Sequence, residues 1–234
     1  RCNYIPQLKG DKVYCITEDN ESNIYIATLG AGFYQYNLKR KELNQYKYYN
    51  ANDNDEESDG VFKDWINYIL YDSDGYLWIA HYKGISCFDV KKKKFVNNSP
   101  LQKVISKCIA YSILKSESGD IYVGTSNGLY ISKRESGKAT HLSIKDGLPN
   151  EIICGLMEDS NNFIWMSTYM GISKYIPTQN RFINYYAGDG IQGNEFTHGA
   201  FCKGYNGSLF FGGLNGVTHF FNYYSDNNEE DLEV

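Results

Sequence analysis

The sequence predicts an all-β protein, a β-propeller with five visible four-stranded blades. An apolar quartet built on an aromatic recurs at Tyr25, Trp78, Tyr122, Trp165 and Phe210, at intervals of 53, 44, 43 and 45 residues. A glycine follows each aromatic, after six residues at Gly84, Gly128, Gly171 and Gly216 and after seven at Gly32. The runs on either side are short, rich in Ile, Val, Tyr, Phe and Trp, and bounded by Gly, Asn, Asp and Ser, the pattern of strands and turns. A period of about 44 residues marks units that bury their apolar faces only by stacking on neighbours.

The copies read "SNIYIATLGAGFYQY", "GYLWIAHYKGISCF", "GDIYVGTSNGLYI", "NFIWMSTYMGISKY" and "GSLFFGGLNGVTHF", which places blades at about 12–50, 61–100, 104–144, 148–188 and 194–224 of a propeller segment covering 1–224. In the second copy "WINYILYD" is the first strand, "DSDG" its turn, "YLWIAHY" the second strand, "GISCFDV" the third and "KKFVNN" a weak outer fourth. The second strand is apolar at consecutive positions, Leu77 to Ala80, so both its faces are expected to be buried. The repeated glycine implies a positive φ or a close approach that a side chain would block. Two positions after each aromatic stands a small residue, Ala27, Ala80, Gly124, Ser167 or Gly212, read as a socket for a large side chain of the adjacent blade.

Composition supplies 42% apolar residues and 37 aromatics for a core. A net charge of −5 argues against nucleic acid as a partner, because binding to phosphates needs an excess of cations. No run of 18 apolar residues is present, and the start "RCNYIPQLKGDKVY" has no apolar segment of a signal peptide and enters in mid-repeat. The six cysteines, Cys2, Cys15, Cys87, Cys108, Cys154 and Cys202, show no CxxC pair and no common placement; they read as small buried hydrophobes, with no metal or cofactor expected. The acidic insertion at 51–60 lacks the ligand spacing and glycine of an EF-hand loop and reads as a solvated loop. Lys91 to Lys94 read as a wet hairpin, and the tail at 225–234 as an acidic, disordered segment.

Propeller topology brings the loop entering each first strand and the loop between second and third strands to one face. The candidates for ligand binding are Trp65, Asn67, His81, Tyr82, Lys83, Asn127, Asn150, Glu151, Tyr169, Asn194, Glu195, His198 and Asn215. Aromatics interspersed with Asn, Glu, His and Lys can stack on a sugar ring and hydrogen-bond its hydroxyls. The same Asn residues also suit the turns themselves, because Asn tolerates the left-handed region and bonds its own backbone. The opposite face carries tight turns such as "EDNESN" and "DSDG" and needs no ligand to explain it. No GxSxG, HExxH, P-loop or GxGxxG is present, so no catalytic residue is assigned. Two other readings are a propeller lyase or hydrolase using Glu195 and His198 as acid and base, and a scaffold whose mouth binds protein.

The pattern "GLPNEIICGLMEDSNNFIWMSTYMGISKY", with "FINYYAGDGIQGNEF" and "GSLFFGGLNGVTHF", resembles the two-component regulator propeller repeats of the periplasmic sensor region of bacterial hybrid two-component systems. The resemblance covers about residues 12 to 221; "DGLPN" at 146–150 and "GNEF" at 193–196 carry it most specifically. It implies seven-bladed propellers, often in tandem, followed by an immunoglobulin-like domain, a membrane helix, a histidine kinase and a response regulator, and hence attachment to the inner membrane. It further implies sensing of glycan-derived oligosaccharide in the periplasm and pairing of receptors as homodimers. Five visible repeats fit part of such a propeller, or a five-bladed ring closed by "CNYIPQL" as the outer strand of the last blade.

Overall fold

The computed structural model describes residues 5, 8, 11–48, 64–96, 99–105 and 107–221. Cys2, most of the "CNYIPQL" segment, the insertion at 51–60 and the tail at 225–234 lie outside the described residues. The described residues form nineteen strands in five antiparallel sheets. Blade 1 contains β1 (Val13–Glu18), β2 (Asn23–Thr28), β3 (Phe33–Asn37) and β4 (Glu42–Tyr46). Blade 2 contains β5 (Ile66–Asp72), β6 (Tyr76–His81), β7 (Gly84–Asp89) and β8 (Lys94–Val96). Blade 3 contains β9 (Ala110–Lys115), β10 (Ile121–Thr125), β11 (Gly128–Ser132) and β12 (Ala139–Leu142). Blade 4 contains β13 (Ile153–Glu158), β14 (Ile164–Thr168), β15 (Gly171–Ile176) and β16 (Arg181–Tyr185), and blade 5 contains β17 (Phe196–Lys203), β18 (Leu209–Gly213) and β19 (Gly216–Phe220). The chain is thus a β-propeller, with the first strands β1, β5, β9, β13 and β17 side by side in that order about the axis.

Among the described residues helix is confined to single turns. One, α1 (Leu101–Val104), and the 3₁₀ turns Ile144–Asp146 and Ala187–Asp189 occupy connections between blades. Leu101 and Ile105 are fully buried in the core between blades 2 and 3, so blade 3 begins its sheet at Ala110, after this plug, and not at 104.

The cores lie between blades. Residues alternate along each second strand: Leu77 and Ile79 pack toward Tyr25, Ala27 and Phe33 of blade 1, while Trp78 and Ala80 pack toward Ala110 and Ile113 of blade 3. Two further clusters join blade 3 to blade 4 and blade 4 to blade 5. Burying one such aliphatic or aromatic side chain stabilises by about 1.5–3 kcal/mol, which is why an isolated blade gains little and a stack gains much. The socket at Gly124 is filled by the neighbouring blade: a β-carbon there would stand 2.7 Å from Cγ2 of Ile153 and 2.6 Å from Oγ of Ser112. The repeated glycine answers both expectations at once. At Gly171, φ is +92° and an added β-carbon would collide with the carbonyl oxygen of Tyr185, where the fourth strand ends.

The end blades differ from the inner ones. Ile16 of β1 is 62% exposed, whereas its register equivalents Ile69, Ile113 and Leu156 are buried against the preceding blade. Val217 of β19 is 64% exposed, whereas its equivalents Phe33, Ile85, Leu129 and Ile172 are 0 to 5% exposed under the following blade.

The face opposite the entering loops is cross-linked by its own turns. Lys115 of blade 3 bonds Asp72 and, at 2.8 Å, Asp74 of blade 2. The backbone N–H of Glu117 donates to Glu158 of blade 4, whose carbonyl accepts from Lys203 of blade 5.

Candidate ligand-binding mouth

Backbone hydrogen bonds knit the two loop types of the other face together. Tyr82 N–H donates to Trp65 O and Tyr169 N–H to Ile152 O, each within one blade. Gly30 N–H donates to Asp64 O, Gly128 N–H to Glu151 O and Gly171 N–H to Asn194 O, each reaching the entry of the next blade. A rigid rim results, and the predicted loops are brought together on it.

Just inside the rim, the first strand of each of blades 1 to 4 carries a bulge at its second position, and that of blade 5 a longer irregularity. The pairing skips from Val13 to Cys15, Ile66 to Tyr68, Ala110 to Ser112 and Ile153 to Gly155, and from Phe196 to Phe201 in the last blade. A bulge leaves one residue unpaired and re-aims its side chain. The re-aimed residues are Tyr14, Asn67, Tyr111 and Cys154, with Thr197 to Ala200 in β17. Asn67 Nδ2 donates to Ala110 O at 2.8 Å and Cys154 Sγ to Phe196 O at 3.4 Å, each reaching the residue before the next blade's bulge.

Tyr111 does something else. Its ring stacks on His198 of the non-adjacent blade 5, with centroids 3.8 Å apart and planes 18° from parallel. Tyr169 Oη lies 3.0 Å from His198 Nε2, and its ring 5.3 Å from the imidazole. Tyr82 meets Trp65 edge to face at 5.3 Å. Below, Tyr68 and Phe201 meet at 5.6 Å, and Phe201 lies against the backbone of Gly155, so side chains of blades 2 and 5 meet over the backbone of blade 4.

The thirteen predicted residues separate on this geometry. Trp65, Tyr82, Tyr169 and His198 supply the aromatic surface. His81 is turned inward: it is buried, its Nδ1 accepts from Lys83 N–H, and Nε2–H therefore donates to Ser86 Oγ at 2.9 Å. It ends the second strand where Thr125 and Thr168 close the same turn with their hydroxyls in blades 3 and 4. Lys83 is half-buried on that turn. Asn127 is exposed but tied to its own blade through Tyr130 and His141. Asn150 caps the entry to β13 by accepting from Ile152 N–H, and half-buried Glu151 follows it. Asn194 and Asn215 brace the last entry, the former accepting from Ala187 N–H, the latter donating its backbone N–H to Gln192. Glu195 is exposed beside Tyr169, and His198 pairs with Tyr169.

Burial lowers the pKa of His198 and pushes the Tyr111 phenol and the Cys154 thiol up to about 12 each. The centre of the mouth is therefore neutral and aromatic, suited to stacking and hydrogen bonding. The described cysteines are free thiols, Cys87 and Cys154 buried and Cys202 exposed.

Tyr111 is not among the predicted residues, although Asn67 at the equivalent bulge of blade 2 is. Its signal is nonetheless periodic: Tyr14, Asn67, Tyr111 and Cys154 each stand eleven residues before the repeated aromatic.

Two segments, 60–83 and 147–170, match the family described as two component regulator propeller. Those two segments are similar to two-component regulator propeller repeats. Each matched segment runs from an entering loop to the turn after the second strand, so the family pattern covers the elements that build the rim. The chain is similar to "Histidine kinase P4" of Formosa agariphila, at 25% identity over 220 residues. It is similar also to the extracellular domain of the putative hybrid two component system BT3049 from B. thetaiotaomicron, at 26% identity over 94% of this chain with a TM-score of 0.77. The extracellular domain of BT4673 from the same organism, at 16% identity over 92% of this chain with a TM-score of 0.71, shares the fold. The match to the curated relative covers 89% of this chain but 15% of that protein, and the chain covers 29% and 27% of the two structures.

Proposed function

We propose that this propeller is a ligand-sensing segment of the periplasmic region of a hybrid two-component receptor, and that its mouth binds a glycan-derived oligosaccharide. The convergence of Tyr82, Trp65, Tyr111, Tyr169 and His198 from four blades supports the reading, because flat rings beside a neutral imidazole match the apolar faces and hydroxyls of pyranoses. A neighbouring propeller or immunoglobulin-like domain and a second subunit complete the receptor, and a histidine kinase in the longer protein takes up the signal. Signalling requires that the ligand favour one arrangement of these parts over another, since equal affinity for both shifts nothing.

Calorimetry of the intact ectodomain against a panel of neutral and acidic glycan fragments tests this. Saturable heat with one class is expected. Silence across all classes removes the reading, and shortening of the fragments during the titration points to an enzyme instead.

A further inference from the structure

Resting on that ligand-binding reading, we infer that Nδ1 of His198 is the atom by which the mouth reads an oxygen of a neutral, hydroxyl-bearing ligand, and that Tyr111 is the positioning residue that covers it beforehand. Nδ1 is buried and has no hydrogen-bond partner. The other nitrogen, Nε2, is engaged by Tyr169 Oη at 3.0 Å. A phenol is the stronger acid of the pair and donates, so Nε2 accepts and Nδ1 carries the proton. The result is a buried N–H lacking an acceptor, which costs free energy until one is supplied.

Tyr111 covers the face of this imidazole, and Nδ1, whose N–H points outward in the ring plane, has no solvent exposure, so a ligand oxygen reaches it only when the Tyr111–His198 stack shifts. Tyr111 belongs to β9 and His198 to β17, two first strands that do not adjoin. Ligand engagement thus loosens a contact between blades 3 and 5. The groups about the imidazole are Tyr111 and Tyr169, with Tyr82, Cys154 and Glu195 next to those phenols. Glu195 is the acidic residue among them, and its sign opposes an anionic ligand.

The test uses His198→Phe, which keeps a ring for Tyr111 to stack on but no nitrogen, together with Tyr111→Phe and Tyr111→Ala. Neutral hexasaccharides of β-1,4-glucan, α-1,4-glucan and β-1,4-xylan and an oligogalacturonate are titrated into each. Wild type is expected to bind a neutral sugar; His198→Phe weakens that binding at least about tenfold, Tyr111→Phe changes it less than about threefold, and Tyr111→Ala tightens it. Retained affinity in His198→Phe, or preference for the oligogalacturonate, overturns the assignment. Without ligand, side-chain ¹⁵N spectra are expected to show His198 neutral and protonated on Nδ1, with a titration midpoint that rises toward 6.5 in Tyr111→Ala. An unmoved midpoint overturns the role of Tyr111 whether or not any sugar binds. No binding by wild type, with the tautomer and the midpoint shift as stated, overturns the oligosaccharide as ligand while retaining Tyr111 as the positioning residue.

Discussion

The indole nitrogen of Trp165 donates to the carboxylate of Asp159 at 2.7 Å, across the turn that joins β13 to β14. The same six-residue relation recurs between Tyr25 and Asp19 at 2.8 Å and between Trp78 and Asp72 at 3.2 Å. Asp159 also accepts from the backbone N–H groups of Asn161 and Phe163, so one carboxylate shapes the turn and orients the aromatic that packs between blades. In the fifth copy Phe210 has no donor, and the position six before it is Gly204. Asp159→Ala is expected to cost about 1–3 kcal/mol in urea unfolding, because three donors lose one acceptor. Asp159→Asn, which keeps one carbonyl oxygen, recovers part of it; equal losses for both would show that the charge, and not the acceptor, matters.

Gly124 and Ile153 define the seam between blades 3 and 4. Gly124→Leu pushes a side chain into a space already held by Ile153 and Ser112 and is expected to cost about 1–3 kcal/mol. A thermal melt unchanged from wild type would show that the seam is loose enough to absorb it.

Glu158 gives the pH dependence of the turn face. Burial is the main cause that raises its pKa above 4.5; the Glu117 N–H opposes this, and the nearby Glu117 and Asp159 carboxylates add to it. The folded state thus holds this proton more tightly than the unfolded chain, so its contribution is greatest below pH 4.5 and is lost as pH rises through the folded value. Glu158→Gln keeps an oxygen to accept from Glu117 N–H and carries no charge to desolvate. It is expected to melt higher than wild type at pH 7 and to lose that advantage at pH 4; a lower melting temperature at pH 7 would contradict the assignment.

The propeller was legible because its burial pattern repeats in one dimension: the aromatic, the small residue two later and the glycine four after that occupy fixed offsets in Trp78–Ala80–Gly84 and Trp165–Ser167–Gly171. The rim was legible through topology, which placed Trp65, Tyr82, Tyr169 and His198 on one face. The inward turn of His81 was not, because its sequence position is that of Thr125 and Thr168, and its hydrogen bonds to Lys83 N–H and Ser86 Oγ show that the imidazole stands where their hydroxyl does. Tyr111 was hidden because strand alternation says nothing about a bulge, which reverses the direction of one side chain.

Repeat equivalence also fails at the ends, in a way that can be measured. By register Val217 stands opposite Gly212 as Leu129 stands opposite Gly124, and sequence alone gives the two residues the same duty. Leu129 is fully buried among Tyr122, Ile153 and Met166, while Val217 is 64% exposed. Leu129→Ala is therefore expected to cost about 2–5 kcal/mol through lost transfer energy and the cavity left behind. Val217→Ala removes contacts that are mostly with water and is expected to stay within about 0.5 kcal/mol. Urea unfolding of both variants of this chain measures the difference, and a large loss for Val217→Ala would mean that the trailing face of blade 5 is covered in solution.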